Sequence, residues 1–250
     1  MIETVMFDMG GTLEDVYADE ATYRRTARRL NGMLRAYGMD TRMDDETLWN
    51  TVFPAFMVYK EESVVTGIEK KPEEIWTRYC LKDFPFDMDR VAAVSEELAH
   101  MWEVQFYDRK LRPRVPELLK ALKGLGLRLG VISNTPSLFQ VYASLKEYGI
   151  RDELDAVVVS SITGYRKPGK RIFEIALAEM NVRPESCAYV GDTIARDIIG
   201  ATRAGYAMTF QIHSFLTDSR DTEEIKKLAK PDHLVTDLFE VYEILKRERG

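Results

Sequence analysis

Six short stretches of the chain are mainly apolar and end in a polar residue. They cover residues 4–8, 127–133, 155–160, 187–192, 207–213 and 232–237. Runs of this length are typical of parallel strands that are covered on both faces. Between them, apolar residues recur at helical spacing over residues 116–124, 137–148, 170–180, 194–204 and 238–246. The alternation of strand and helix predicts an α/β fold with a doubly wound parallel sheet.

The first predicted strand stands apart, because a long segment separates it from the strand that begins at residue 127. Within residues 17–107, apolar side chains again recur every three or four positions, which indicates helices. We therefore expect an α/β core over residues 1–14 and 112–250, interrupted by a small all-helical domain over residues 15–111. The two connections between these parts are the expected hinges.

Composition narrows the class of protein. The 250 residues are 45% hydrophobic and carry a formal net charge of −6. A nucleic-acid-binding surface needs clustered, uncompensated Lys and Arg, so we expect a small-molecule partner and no nucleic acid. The absence of a long apolar run or a leader pattern predicts a cytoplasmic protein without a membrane partner. Cys80 and Cys187 lack paired spacing, which predicts two reduced core residues.

Candidate chemistry lies where the predicted strands end. Four polar residues close or directly follow an apolar run, namely Asp8, Ser133, Asn134 and Asp192. Lys167 lies in the loop after the run at 155–160. In an open parallel sheet, ligands bind beyond the carboxyl ends of the strands, so these side chains are expected to meet. They offer a carboxylate nucleophile, anion-binding groups and a second carboxylate, which predicts a phosphoryl-transfer site that uses a divalent cation.

A magnesium ion would relieve the charge repulsion within this set. Asp8 and Asp192 on neighbouring strands would repel one another unless a positive charge lay between them, and Mg²⁺ prefers oxygen ligands. Asp197, five residues after Asp192, can reach the same ion directly or through water. The ion and Lys167 would together keep Asp8 ionised, so that its carboxylate can attack phosphorus.

The turn after Asp8 offers a further contact for an anion. Gly11 and Thr12 can supply backbone amides there, and such amides bind phosphate oxygens. Each feature also has a common structural explanation, because Asp and Ser often cap helices and paired glycines are frequent in turns. The functional interpretation therefore depends on all of the features occurring in order along one chain.

In its motifs the chain resembles the haloacid dehalogenase superfamily, particularly members with a helical cap inserted after the first strand. The stretch "FDMGGTL" is similar to the first motif, with Asp8 as nucleophile, and "VISN" is similar to the second, with Ser133. The stretch "GYRKPGKRIFEIAL" is similar to the third, with Lys167. The fourth corresponds to "YVGDTIARDIIGATRAG", with Asp192 and Asp197. The resemblance spans the chain and implies a Rossmann-like core with a cap domain.

The resemblance also implies a role for each residue. Three residues are expected to act on the phosphoryl group. Asp8 would be the nucleophile, Ser133 would bind a phosphoryl oxygen, and Lys167 would bridge the nucleophile and the phosphate. The expected holders of Mg²⁺ are Asp8, the backbone carbonyl of Gly10 and Asp192, with Asp197 close by. Further substrate-binding positions are expected at Gly11, Thr12 and Asn134.

One position departs from the superfamily's pattern. Its phosphatases usually carry a second aspartate where this chain has Gly10, as general acid for the leaving group and then as general base for the hydrolytic water. A glycine keeps the carbonyl for metal binding but cannot transfer a proton. General acid–base catalysis contributes about 10²–10⁴ in rate, so this absence limits the activity to be expected.

These observations predict an Mg²⁺-dependent hydrolase, a phosphatase of a small phosphorylated metabolite that reacts through an aspartyl-phosphate intermediate. A good leaving group, as in an acyl phosphate, would need little protonation. The alternative is a weak or silent relative that binds a phosphorylated ligand or a protein partner. A dehalogenase or phosphonatase is less favoured, and the latter would need a cap lysine, for which the chain offers Lys60, Lys70, Lys71 and Lys82. The oligomeric state stays open.

The cap is expected to determine the substrate. Four arginines form two i,i+4 pairs on a predicted helix, and we expect a solvated helix face there rather than an anion site: Arg24, Arg25, Arg28 and Arg29. Four aromatic residues at helical spacing are expected in the core of the cap rather than in a ligand site: Trp49, Phe53, Phe56 and Tyr59.

Overall fold

A six-stranded parallel sheet forms the centre of the α/β core. The structure, a computed structural model, describes residues 1–249. In chain order its strands are β1 (Thr4–Phe7), β2 (Glu14–Tyr17), β3 (Asp108–Leu111), β4 (Arg128–Ser133), β5 (Ala156–Val159), β6 (Cys187–Gly191), β7 (Met208–Ile212) and β8 (His233–Val235). Six of them form the parallel sheet in the order β5-β4-β1-β6-β7-β8. The predicted α/β fold is thereby confirmed.

Within residues 1–249, the helices comprise thirteen α-helices and four segments of other helical types. The α-helices are α1 (Glu20–Ala36), α2 (Asp45–Thr66), α3 (Pro72–Ile75), α4 (Met88–Ala93), α5 (Ser95–Phe106), α6 (Val115–Gly124), α7 (Gln140–Glu147), α8 (Ser160–Thr163), α9 (Lys170–Met180), α10 (Ile199–Arg203), α11 (Phe215–Arg220), α12 (Glu223–Lys226) and α13 (Phe239–Arg249). Trp76–Cys80 and Ile194–Ile198 are π-helical, and Arg151–Glu153 and Pro184–Ser186 are 3-10 turns. The predicted helix at 194–204 is therefore a π-helical turn continued by α10.

Both faces of the sheet are covered, which explains why its strands are apolar throughout. Successive side chains of a strand point to opposite faces. Val5 and Phe7 of β1 pack with apolar side chains of α6, α7 and α13. Met6 packs on the other face with Ile132 and with Phe173 of α9. Because β1 lies between β4 and β6, the residue that follows it, Asp8, is central at the carboxyl edge of the sheet.

The helices between β2 and β3 have a separate apolar core. Leu30, Leu48 and Trp76 are fully buried within it. Trp49 stacks on Trp102 with ring centroids 5.5 Å apart. Aromatic pairs of this kind contribute about 0.5–1.5 kcal/mol each beyond the area that they bury. These helices form the layer above the carboxyl edge of the sheet, as expected for a helical cap.

Two short antiparallel strands connect the cap to the core. In the ladder between β2 and β3, Glu14 lies opposite Leu111 and Tyr17 opposite Asp108. The sequence did not predict these strands, because their exposed and buried positions alternate over only four residues and include many charges. The expected domain boundary 14/15 falls within this ladder and the boundary 111/112 at its end, and both stay predictions.

Other expectations concern the surface and the cysteines. Three of the α1 arginines pair with acidic residues at the surface: Arg24 with Glu20 at 2.5 Å, Arg25 with Asp108 at 2.7 Å and Arg28 with Asp45 at 3.8 Å. Cys80 and Cys187 are both buried free thiols, as predicted. Within residues 1–249, no helix combines the length and the apolar character that crossing a membrane requires.

Candidate active site

Three buried carboxylates meet at the carboxyl edge of the sheet. Asp8 follows β1, Asp192 follows β6, and Asp197 lies in the π-helical turn beyond. One oxygen of each lies within 4.8 Å of the others, and the residues are 3%, 0% and 0% exposed. Parallel strand ends bring these side chains together although they are far apart in the sequence.

Lys167 lies between two of the carboxylates. Its Nζ is 2.8 Å from Oδ1 of Asp8 and 2.6 Å from Oδ1 of Asp197. The other oxygen of Asp197 accepts hydrogen bonds from the amide of Thr193 (3.1 Å) and from its hydroxyl (2.7 Å). Both oxygens of Asp197 thus have protein donors, and this residue orients the lysine toward Asp8.

Asp192 has one oxygen without a donor. Its Oδ2 accepts a hydrogen bond from the hydroxyl of Ser214 at 2.5 Å. Its Oδ1 is buried and has no hydrogen-bond partner, and Nη2 of Arg196 lies 3.6 Å away, beyond hydrogen-bond length. An unsatisfied buried oxygen costs about 1–3 kcal/mol, more when it is charged. This oxygen is therefore available to a cation.

The charges of the cluster do not balance. The three carboxylates face two buried cations, Lys167 and Arg196. Burial raises the pKa of Asp8, although Lys167 opposes the shift. Burial likewise raises the pKa of Asp192 to about 8, against the attraction of Arg196. For Asp197, burial is outweighed by Lys167 and Arg196, which hold its pKa well below the ordinary value.

The residues present fit a hard divalent cation. The cluster consists of carboxylate oxygens, which Mg²⁺ prefers, and it has one negative charge in excess. Asp8 and Asp192 carry the raised pKa values, so a cation next to them would stabilise their charged forms. The unpartnered Oδ1 of Asp192 provides a ligand atom that no protein donor occupies.

The turn after Asp8 needs glycine at position 11. Gly11 has φ +91°, and a Cβ atom there would lie 2.1 Å from Oδ2 of Asp192. The amide of Gly11 donates to the carbonyl of Glu14 at 2.8 Å, and that of Thr12 donates to the carbonyl of Met9 at 3.2 Å. Both amides are thus engaged within the turn, which differs from the expected contact with phosphate oxygens.

The two residues of the second motif differ in their surroundings. Ser133 ends β4 and borders the cavity above Asp8. The amide group of Asn134 also reaches this border, but it donates to the carbonyl of Lys167 (3.0 Å) and accepts from its amide (2.9 Å). The side chain of Asn134, expected to bind substrate, therefore fixes the backbone of the lysine.

An ionic network surrounds Gly10. A Cβ atom at this position would lie 3.6 Å from Nη1 of Arg109 and 3.8 Å from Oε1 of Glu14, both ordinary contacts. Arg109 forms ion pairs with the buried carboxylates of Glu14 and Glu103. Tyr148 donates a hydrogen bond to Glu14 at 2.9 Å. Burial alone would lower the pKa of Arg109, but the two carboxylates raise it overall, so the guanidinium stays charged.

A cavity of about 570 Å³ lies between the cap and the carboxyl edge of the sheet. Asp8, Gly10 and Ser133 are on its core side. Its aromatic lining residues are Tyr23, Phe53, Phe56, Trp102, Phe106, Tyr107 and Phe215, and they form its aromatic wall. Phe53 and Phe56, expected only in the core of the cap, therefore also border a ligand-sized space. The cationic residues of the lining are Lys60, Arg109, Arg166, Arg196 and Arg220.

Sequence reasoning missed most of the cations around this cavity. Arg196 had a local signal, because it directly precedes Asp197 in the fourth motif. Arg109 and Arg220 lie in short polar stretches that match no motif. The four arginines of α1 that form i,i+4 pairs in the sequence do not border the cavity.

The chain is similar to known hydrolases in sequence and in fold. A family model described as haloacid dehalogenase-like hydrolase matches residues 2–205. A glyceraldehyde 3-phosphate phosphatase from Methanopyrus kandleri is 30% identical over 213 residues, which cover 82% of each chain. The one from Methanothermobacter thermautotrophicus is 37% identical over 133 residues, or 53% of this chain and 58% of the relative. A crystal structure of 2-haloacid dehalogenase from Pseudomonas syringae shares the fold, with a TM-score of 0.69, 21% identity and coverage of 99% and 100%.

The two adjacent glycines give a matched test of the site's packing. Gly11→Ala forces a Cβ into Asp192 and strains a left-handed backbone, so we expect the free energy of unfolding to fall by about 1–3 kcal/mol. In Gly10→Ala the added Cβ atom meets only ordinary contacts, so we expect the free energy of unfolding to change by less than about 1 kcal/mol. Urea unfolding of both variants measures the difference. Equal losses would contradict the described approach of Asp192 to the turn.

Proposed function

The chain belongs to the haloacid dehalogenase-like hydrolases, and on this basis we propose that it is an Mg²⁺-dependent phosphatase of a small phosphorylated metabolite. The observation that carries the proposal is the carboxylate cluster with Lys167 beneath a ligand-sized cavity. The relatives named glyceraldehyde 3-phosphate phosphatase support the same class of reaction. Which metabolite binds depends on the residues that line the cavity, because a fold alone does not determine the substrate.

The proposed holders of Mg²⁺ are Asp8, the backbone carbonyl of Gly10 and Asp192. The unpartnered Oδ1 of Asp192 and the excess negative charge support this assignment. Asp197 contributes its charge, while its oxygens hold Lys167 and the Thr193 turn. When bound, Mg²⁺ would neutralise charge on the carboxylates and on the phosphoryl oxygens.

In the proposed first step, a carboxylate oxygen of Asp8 attacks phosphorus. The new bond forms as the bond between phosphorus and the leaving oxygen breaks, and the leaving oxygen keeps the electron pair. Lys167, 2.8 Å from Asp8, neutralises charge on the nucleophile and the phosphoryl group, and Ser133 donates a hydrogen bond to a phosphoryl oxygen. Water then attacks phosphorus as the bond between phosphorus and the Asp8 oxygen breaks, the electron pair returns to the Asp8 carboxylate, and both protons of the water leave with the inorganic phosphate.

Gly10 restricts the leaving groups that this site can handle. Arg109 lies next to Gly10 and can stabilise negative charge on a leaving oxygen, but a guanidinium does not give up its proton. Glu14 is paired with Arg109 and Tyr148, so it is not free to replace the missing aspartate. We therefore propose aryl or acyl phosphates as the preferred substrates, since their leaving groups need little protonation.

Replacing the nucleophile tests the proposal directly. With Mg²⁺ and 4-nitrophenyl phosphate, we expect rapid-quench labelling of Asp8 and steady turnover in the wild type. Asp8→Asn should lose labelling and at least about 10³-fold in kcat, because an amide does not attack phosphorus. The control Asp152→Asn changes an exposed residue far from the motifs and should keep full activity. Turnover that survives in Asp8→Asn, or that is insensitive to EDTA, would contradict the proposal.

Gly10→Asp separates a phosphatase that lacks one group from a silent binding protein. The Cβ atom of the new side chain would meet only ordinary contacts beside Arg109, and we expect kcat for alkyl phosphates to rise by up to about 10²–10⁴, with little change for aryl phosphates. Gly10→Asn, which has the same size without the acid, should not show this gain. If neither ester is turned over faster by Gly10→Asp, the silent relative becomes the better explanation.

One observation favours cleavage of a carbon–phosphorus bond as a second candidate. Of the four cap lysines considered, Lys60 borders the cavity, whereas Lys70, Lys71 and Lys82 do not. Burial, reinforced by the charge of Arg166, lowers the pKa of Lys60 to about 8. A lysine with such a pKa is partly neutral at physiological pH and can form a Schiff base with an aldehyde.

Borohydride trapping tests this second candidate. If Lys60 forms a Schiff base, reduction in the presence of phosphonoacetaldehyde will attach a stable adduct to Lys60, visible by peptide mass spectrometry. The adduct should be lost in Lys60→Arg and kept in Lys70→Arg, whose side chain pairs with Glu62 outside the cavity. The absence of any adduct at Lys60 would remove the second candidate and leave phosphate ester hydrolysis.

A further inference from the structure

Arg220 is a cavity side chain without an anionic partner. It is the last residue of α11 and borders the cavity. Its Nε is buried and forms no hydrogen bond. Among residues 1–249, no carboxylate oxygen lies within 4.0 Å of its guanidinium nitrogens. Partial burial removes hydration from a charged group, which is unfavourable unless an opposite charge replaces the water.

The charged groups nearest to Arg220 include further cations. The charge of Arg196, followed by burial, lowers the pKa of Arg220 to about 10, while Asp192 attracts it more weakly. Arg220 in turn is one of the charges that act on Lys60. Arg166 also faces this part of the cavity, but its ion pair with Glu69 neutralises it. Like charges in a partly buried cavity repel one another unless an anion lies among them.

The segment that carries Arg220 is fixed to the site of the chemistry. The next residue, Asp221, accepts hydrogen bonds from the amides of Ile194 (2.8 Å) and Ala195 (2.9 Å). Thr217 donates to the carbonyl of Asp192 at 2.8 Å. Arg220 is thus presented by a short helix anchored to the same loop that supplies Asp192. A cation held in this way is preorganised for binding, because little freedom is lost when a ligand arrives.

The lining carboxylates do not neutralise Arg220, whereas Arg196 already lies 3.6 Å from the carboxylate of Asp192. Asp8 pairs with Lys167, and Glu103 pairs with Arg109. Glu61 is on an exposed position of α2, and within residues 1–249 no basic nitrogen lies within 4.0 Å of its carboxylate. The positive charge of Arg220 therefore faces the cavity itself.

We propose that Arg220, together with Arg196 and Lys60, forms a second anion-binding subsite, so that the substrate carries an anionic group besides the phosphoryl group that is transferred. This inference rests on the proposed phosphatase function for the identity of the transferred group. The second group is a phosphate or a carboxylate, since either would supply the oxygens that a guanidinium binds. The volume of about 570 Å³ accommodates both groups, and the aromatic wall suits an apolar or aromatic body between them.

Binding to the inert Asp8→Asn protein with Mg²⁺ tests the subsite by calorimetry. The ligands are phenyl phosphate, 4-carboxyphenyl phosphate and 1,4-phenylene bisphosphate, which share one aromatic body. We expect at least one of the two ligands with a second anion to bind about tenfold or more tightly than phenyl phosphate, as hydrogen bonds to charged groups generally allow. Comparison of these two ligands then separates a carboxylate from a phosphate as the second group.

Removing Arg220 should abolish this preference selectively. In the Asp8→Asn background, Arg220→Met should reduce the difference in affinity between the ligand with a second anion and phenyl phosphate to below about threefold. The Kd of phenyl phosphate should stay unchanged within about twofold. Arg220→Lys, which keeps the charge, should retain part of the advantage and guards against misfolding as an explanation. Arg203→Met changes an exposed arginine of α10 and should have no effect.

Two results would overturn the subsite. One is equal binding of all three ligands in the Asp8→Asn protein. The other is a loss of affinity in Arg220→Met that is as large for phenyl phosphate as for the two ligands with a second anion. Arg220 would then contact the transferred group. Binding to Asp8→Asn does not depend on turnover. If the wild type binds the ligands with the expected preference but hydrolyses none of them, the proposed phosphatase function is contradicted and the proposed subsite is supported.

Discussion

The rest of the site depends on keeping three carboxylates out of water within a few ångströms of one another. Burying even a paired charge costs several kcal/mol unless hydrogen bonds and opposite charges replace the lost hydration. Lys167 and the Thr193 and Ser214 hydroxyls supply part of that replacement. Steric constraints require glycine at the two positions that flank the cluster. A Cβ atom at Gly191 would lie 2.3 Å from Cβ of Asp197, and one at Gly11 would lie 2.1 Å from Oδ2 of Asp192.

The strands of the sheet were predictable because both of its faces are covered. Val5, Met6 and Phe7 are all buried, so β1 appears in the sequence as a continuous apolar run, and the polar residue that ends it marks the edge where ligands bind. The strands β2 and β3 lacked such a signal, since each is partly exposed and rich in charge. Their pairing depends on how the inserted helices bring the two ends of the insertion together, which no local pattern expresses.

The cavity was the least predictable part for a related reason. Phe53 and Phe56 have the helical spacing of core residues, and they are core residues on one side, yet they also border the space above Asp8. Arg220 reaches the same space from α11, far along the chain, and Lys60 reaches it from α2. Arg220 and Lys60 come close together because the cap packs on the sheet and, separately, α11 packs on the loop of Asp192. The motifs specify neither arrangement, because the cap helices and α11 lie outside them.

The cap is held over the site partly by buried carboxylates and partly by backbone hydrogen bonds, such as that from the amide of Glu69 to the carbonyl of Gly164 at 2.9 Å. Glu69 of the cap pairs with Arg166 of the core and accepts a hydrogen bond from Ser160 at 2.7 Å. Glu96 of the cap accepts from the hydroxyl of Ser137 at 2.6 Å. If the cap separated from the core, these groups would regain hydration, which offsets much of the lost Coulomb energy, whereas an apolar interface of equal area would return nothing. The Arg109 network obeys the same rule, because its ion pairs connect Glu14 of β2 with Glu103 of α5 beside Gly10, the position where the superfamily's phosphatases carry an aspartate.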